Sequence, residues 1–146
     1  MKPLPEFNAQ GDLPEGIHAG SLELVLVYFG NTPHRAVVAR RLERIFTLAS
    51  STGHLARFIV FGSFITAKAE PNDVDIFLLM EDSFDVSKVS TEARLVFDHS
   101  AAQNLLGASV FWIRRAAVLG GEAATIAHWQ IKRDGGKRCI VEVTKI

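Results

Sequence analysis

The sequence predicts a single α/β domain in which a small mixed sheet is flanked by helices. Three observations carry that expectation. The short apolar runs Phe58–Phe61 and Ile76–Met80 are β-branched or aromatic enough to read as buried strands rather than helices. Between them stand Gly62-Ser63 and Asp73-Val74-Asp75, so the chain turns and returns. Upstream, the stretch from Pro33 to Ser51 carries apolar residues at helical spacing, which supplies a stripe to lay on the sheet. At 146 residues the chain is one domain, long enough to bury a core.

In chain order, residues 1–20 hold Pro3, Pro5, Pro14, Gly11, Gly16 and Gly20 and are expected to form an irregular arm. Leu4, Phe7, Leu13 and Ile17 would pin that arm across the domain surface. Ser21–Phe29 is almost continuously apolar, so periodicity alone separates neither helix nor strand. Ser21 as N-cap and Gly30 as C-terminal stop favour a short helix. Thr32 caps and Pro33 opens the clearest helix, which runs to about Ser51 and ends at Gly53. Val38, Leu42, Ile45, Phe46 and Ala49 share one face of it, with Arg40, Glu43, Arg44 and Thr47 opposite. Arg35, Arg40, Arg41 and Arg44 form either a basic ridge or, more simply, a solvated face interrupted by Glu43. Arg35, near the helix start, is placed to reach a phosphate.

Glu81–Lys88 reads as a polar connection. Ser90 or Thr91 then caps a helix that buries Ala93, Val96, Phe97, Ala101 and Leu105 and stops at Gly107. Ala108–Ile113 is a third strand. A short helix follows Gly120-Gly121 within residues 119–128. Ile131–Ile146 reads as two strands joined around Asp134-Gly135-Gly136.

Composition excludes several classes. Sixteen basic and sixteen acidic residues cancel, so no global field draws in nucleic acid. One cysteine, Cys139, allows no internal disulfide, and its apolar neighbours Ile140 and Val141 suggest a buried, inert thiol. No run approaches the ~20 apolar residues of a membrane span, and the first residues lack the apolar core of a signal peptide. A cytoplasmic location is the expectation. His18, His34, His54, His99 and His128 show no metal-ligand spacing, and there is no Walker or Rossmann glycine pattern. Lys132, Arg133, Lys137 and Arg138, with Trp129 nearby, would either touch a nucleic-acid backbone or simply guard a hairpin tip from edge pairing.

The segment from Phe58 to Met80 carries the chemistry. A Gly-Ser turn exposes amides that can cradle an anion. On a strand, Asp73 and Asp75 fall on one face with Val74 turned to the core. Paired carboxylates repel unless a cation lies between them, and an oxygen-loving divalent metal answers that need.

The order apolar strand, Gly62-Ser63, spacer, Asp73-Val74-Asp75, strand resembles the nucleotidyltransferase superfamily that includes DNA polymerase β. LPEGIHAGSLELVLVYFGN, FGSFITAKAEPNDVDIFLLM and HWQIKRDGGKRCIVEV are similar to small bacterial nucleotidyltransferase-like proteins, a resemblance covering most of residues 13–146. The resemblance implies a nucleotidyltransferase-type fold and transfer of a nucleoside monophosphate from an NTP, bound with Mg²⁺ or Mn²⁺, to a hydroxyl on RNA, protein or a small molecule. Asp73 and Asp75 would be the catalytic, metal-binding acids. Gly62, Ser63 and Lys68 would bind the nucleotide. Thr66 is a weaker candidate, and Asn72 more simply shapes the turn into the strand. A third acid is expected at the start of the third strand, where Ala108 and Ser109 stand instead. Glu142 is the nearest substitute if its strand lies beside the first two, ahead of Glu81, Asp82 and Glu122. That departure supports an alternative: a catalytically impaired binding module or toxin–antitoxin-type partner. The chain is short, so self-association or a partner protein would complete a cleft.

Overall fold

A computed structural model describes residues 4–118, 120–130 and 139–144. The α/β expectation holds: five strands form one mixed sheet with helices on both faces. In chain order the elements are β1 (Gly16–Ser21), α1 (Leu22–Phe29), α2 (Pro33–Ser51), β2 (Leu55–Phe61), β3 (Val74–Met80), α3 (Thr91–Arg94), α4 (His99–Ala101), β4 (Ala108–Arg114), α5 (Glu122–Trp129) and β5 (Cys139–Thr144). Their order in the sheet is β1-β5-β2-β3-β4. β1 runs parallel to β5, β5 and β3 run antiparallel to β2, and β4 runs parallel to β3. Among the described residues no helix is long and apolar enough to cross a membrane.

Strand alternation sorts the core into two layers. Phe58, Val60, Val74, Ile76, Leu78, Val110 and Val141 face α1 and α2 in the larger cluster. Ile59, Phe61, Phe77, Leu79 and Ile140 face the other way and receive Ile126 of α5. Asp75 shares the strand parity of Phe77 and Leu79, so it opens on the α5 side. Cys139 is buried.

The predicted caps are realised. Ser21 Oγ accepts the Leu24 amide at 3.2 Å, and the Gly30 amide closes on Leu26 O at 2.9 Å. Thr32 Oγ1 accepts the Arg35 amide at 3.1 Å ahead of Pro33. Val38, Leu42, Ile45, Phe46 and Ala49 are buried along α2, as their spacing requires.

Two expectations are corrected. Residues 1–20 are not irregular throughout, because Gly16–Ser21 forms β1. Its partner comes from the far end of the chain, with Gly16 beside Cys139 and Ser21 beside Thr144, so local composition carries no trace of the pairing. Leu4 and Leu13 are buried and Phe7 packs near Tyr28 and Phe29, but Ile17 is exposed. The helix expected between Ser90 and Gly107 is broken. Ser90 caps α3, a 3₁₀ turn follows at Leu95–Phe97, and Asp98 starts again by accepting the Ala101 amide at 3.1 Å. A π-helical turn at Ala102–Leu106 then leads into Gly107. The restart shifts the buried phase by one residue: Ala102 and Leu106 are buried, while Leu105 is exposed. The expected turn at Asp134-Gly135-Gly136, with Lys132, Arg133, Lys137 and Arg138, lies outside the described residues.

α2 holds the loop between β2 and β3 by its carbonyls. Arg35 is 5 % exposed and sits over the Phe64 ring. Its guanidinium donates to Phe29 O at 3.1 Å, to Phe64 O at 2.8 Å, to Thr66 O, and twice to Lys68 O at 2.6 and 3.2 Å. Arg35 is therefore a clamp on the loop, and the expectation that it reaches a phosphate is corrected. The same helix offers His34 Nε2 to Pro71 O at 2.7 Å and Arg41 Nη1 to Asn72 O at 3.1 Å. The N-terminal arm adds Gly11 O, which accepts the Ala67 amide at 2.7 Å.

Removing the fork should strand those buried carbonyls. Arg35→Met is expected to cost about 3–5 kcal/mol in denaturant unfolding. Arg35→Lys should recover only a minor part, since one ammonium cannot match a planar fork. Equal stability of Arg35→Lys and wild type would contradict the clamp.

Candidate functional site

β2 ends at Phe61, and the chain turns at Gly62 with φ +82°, a conformation that side chains rarely adopt. A 3₁₀ turn, Ser63–Ile65, follows. Its first backbone bonds run from Ile65 N to Gly62 O at 3.4 Å and from Thr66 N to Ser63 O at 3.1 Å. That ladder does not use the amides of Ser63 and Phe64. Phe64 and Ile65 are buried on the helix side, which leaves half-buried Ser63 at the mouth of the turn.

Asp75 lies directly across β2 from Phe61. Its carboxylate closes over Gly62: a Cβ at position 62 would meet Oδ2 and lie 3.0 Å from Cγ. Only a glycine leaves the space that the carboxylate fills. The acid and the glycine corner that the sequence paired are thus in contact. Asp73, half-buried, stands one residue before β3 begins.

Other expected residues separate from this corner. Lys68 is exposed, and it is the Lys68 carbonyl that Arg35 grips. Thr66 Oγ1 donates to Ser63 O at 2.7 Å and so shapes the turn. Ser109 stands beside Asp75 in the parallel β3–β4 register, and Ala108 beside Val74. The position next to Asp75 that an acid would occupy is therefore a hydroxyl.

Glu142 does lie on a strand neighbouring β2, opposite Ile59. Its carboxylate is taken up by Arg57, with Nε and Nη2 at 2.8 and 2.7 Å. Arg57 also reaches Glu122 at 3.3 Å, so it ties β5 and α5 to β2. The hydrogen bond to Glu142 chiefly raises the Arg57 pKa above the ordinary arginine value. The substitute-acid expectation for Glu142 and for Glu122 is corrected on this geometry, because both are matched to a cation away from the Asp75 row. Glu81 faces Arg115 at 3.5 Å, and Asp82 accepts the Ala116 amide at 2.7 Å.

Carboxylates such as Asp73 and Asp75 are hard oxygen donors of the kind that a cation such as Mg²⁺ takes one or two of, with water and other oxygens filling the rest of its shell. A second metal would need a further carboxylate. Among the described residues no three His, Cys, Asp or Glu side chains gather to hold a metal.

Sequence reasoning missed two features. The His34 and Arg41 grips on the loop are one, and their i, i+7 spacing on α2 was the available signal. An aromatic group on the α5 face is the other. Trp129 stacks on Phe77 at 5.1 Å and lies 4.9 and 5.1 Å from Phe61 and Phe111. Strand parity marked the three phenylalanines, but α5 had to be placed before Trp129 could join them.

Fold and corner together define an α/β protein whose glycine turn and strand acid converge on one face of a mixed sheet. Residues 5–144 match the model of a family of unknown function (DUF6932), and the chain belongs to that family. No curated protein and no solved structure matches the chain.

Gly62→Ala is expected to lose about 1–3 kcal/mol from the positive φ alone, with a further loss from collision with Asp75. In a double-mutant cycle Asp75→Ala should relieve only the second part. Strict additivity in urea unfolding would mean that the two groups do not touch. Glu142→Gln should cost about 1–3 kcal/mol by releasing Arg57. Equal stability of Glu142→Gln and wild type in urea unfolding would contradict the Arg57–Glu142 tie.

Proposed function

We propose that this chain binds a magnesium or manganese complex of a nucleoside triphosphate at Gly62, Ser63, Asp73 and Asp75. It transfers the nucleoside monophosphate to a hydroxyl acceptor on RNA, protein or a small molecule. The observation that carries the proposal is the contact of the Asp75 carboxylate with the Gly62 turn. It sets an acid beside backbone donors within a loop that α2 holds rigid. Asp73 and Asp75 would hold the cation, which when bound neutralises triphosphate charge. The amides of Ser63 and Phe64 and the Ser63 hydroxyl would orient the phosphates, and exposed Lys68 would screen them. The acceptor oxygen bonds to the α-phosphorus as the bond to pyrophosphate breaks and the hydroxyl proton passes to solvent water, a displacement that depends mainly on placed charge. The cytoplasm, where such substrates abound, is the proposed location.

The serine beside Asp75 favours a second reading. With Ser109 in place of a carboxylate, nothing in the corner is suited to take the acceptor's proton. The chain would then be a nucleotide-binding module or a toxin–antitoxin-type partner. A partner protein or a second copy would complete its cleft.

Calorimetry with ATP, CTP, GTP and UTP, with and without Mg²⁺, tests the common element. Metal-dependent binding that falls at least about tenfold in Asp73→Asn and Asp75→Asn is expected. Binding indifferent to the metal and to both substitutions would refute it. Labelled-NTP transfer then separates the readings. Transfer by wild type and its loss in Asp75→Asn mark an enzyme. Binding without transfer, with transfer gained in Ser109→Asp, marks the impaired form.

A further inference from the structure

A concave groove of about 770 Å³ opens along β4, with Phe77, Phe111 and Trp129 among its walls, Phe97 and His99 on one side and His128 on the other. Its volume falls in the range of small-molecule sites, which are mostly apolar with a few placed polar groups. Phe111 is 39 % exposed although it lies mid-strand between buried Val110 and half-buried Trp112. Its ring lies between two tilted neighbours, 4.9 Å from His99 at 38° and 5.1 Å from Trp129 at 39°, and its exposure leaves an aromatic platform open to a flat ligand.

The groove joins the glycine–acid corner by register. Asp75 pairs with Ser109, and two residues further on Phe77 pairs with Phe111. At a strand rise of about 3.3 Å per residue, the aromatic floor begins about 7 Å from the acid row. A ribose bridges that interval. His99 Nδ1 donates to Val110 O at 3.1 Å, so in the neutral ring Nε2 is left as an acceptor. The same bond occupies an edge carbonyl of β4, and Trp112 Nε1 donates to Phe97 O at 2.9 Å beside it. An added strand, from a peptide or a second copy, would have to displace the His99 contact. A planar ligand would not.

We propose that this groove is a nucleobase pocket: it stacks the base on Phe111 and Trp129 and accepts from its N–H edge at His99. That the base belongs to the nucleotide bound at Gly62 and Asp75 rests on the function proposed above. The affinity for a flat aromatic base rests on the groove alone.

Both tryptophans of the chain, Trp112 and Trp129, line the groove, so their fluorescence reports its occupancy. The full chain is titrated with adenosine, guanosine, cytidine and uridine, and with the four triphosphates, in Mg²⁺ and in EDTA. Saturable quenching by at least one nucleoside, indifferent to EDTA, is expected. Phe111→Ala should weaken it about tenfold or more, the scale of base–aromatic stacking. Ala124→Phe, which fills the groove from an exposed position on α5, should abolish it even if Phe111→Ala fails to fold. Triphosphate should bind more tightly than nucleoside in Mg²⁺ only. Absence of nucleoside quenching alongside Mg²⁺-dependent triphosphate binding overturns the pocket and leaves the corner standing. Nucleoside quenching with no gain from Mg²⁺-triphosphate overturns the corner and leaves the pocket. Quenching unchanged in both variants, or dimerisation through Phe111 in place of nucleoside binding, also overturns the pocket.

Discussion

A guanidinium buried in a ring of carbonyls is the constraint on which this molecule turns. The loop from Gly62 to Asp73 has little hydrogen-bonded structure of its own beyond one 3₁₀ turn, yet it must present a fixed corner. Arg35 supplies that rigidity from α2 by taking Phe64, Thr66 and Lys68 carbonyls together with Phe29. A planar, permanently charged fork suits this task, since five fixed donors can satisfy carbonyls that would otherwise be buried unpaired. Burial draws the Arg35 pKa below the ordinary arginine value. The charge is balanced by carbonyl dipoles and the Phe64 ring, so the loop and the cation each need the other to be buried.

With the loop held, the sheet decides what the corner contains. Alternation sends Val74 and Ile76 into the larger core and Asp75 to the α5 face. The antiparallel register then brings Asp75 level with the end of β2, where only a glycine leaves room for a carboxylate. The parallel register with β4 brings a serine to its other side. One acid contact, one flanking acid in sequence and one hydroxyl are what the registers bring to this corner, and the proposed function gives them a metal–nucleotide to hold rather than an acceptor to deprotonate. Glu142 illustrates why proximity in the sheet is insufficient, for a carboxylate bound by both arms of Arg57 is already neutralised.

Much of this was legible in the residues. Caps at Ser21, Thr32 and Ser90 marked helix starts because their hydroxyls answer a local need. The β2–turn–β3 unit was legible because apolar runs, a glycine break and paired acids are all local signals. What escaped was set by distance along the chain. β1 depends on β5, more than a hundred residues away. The break at Asp98 competes with a helical pattern that looked continuous, and a one-residue slip exchanged Leu105 for Leu106. Arg35 was correctly singled out but misassigned: its position near a helix start pointed to a phosphate, and only the path of the loop showed carbonyls in its reach. The aromatic group needed three strands and α5 placed together before its four rings could be seen as one wall.

The central claim is that the Gly62 turn and the Asp73–Asp75 pair form one metal–nucleotide site. Paramagnetic broadening by Mn²⁺ in the presence of a non-hydrolysable triphosphate analogue, read amide by amide in nitrogen-15 NMR, tests it most directly. Broadening centred on Gly62, Ser63, Asp73 and Asp75, and requiring the nucleotide, is the predicted result. Broadening centred on another acid cluster, such as Glu122 and Glu142, with the Gly62 turn untouched, would contradict the account.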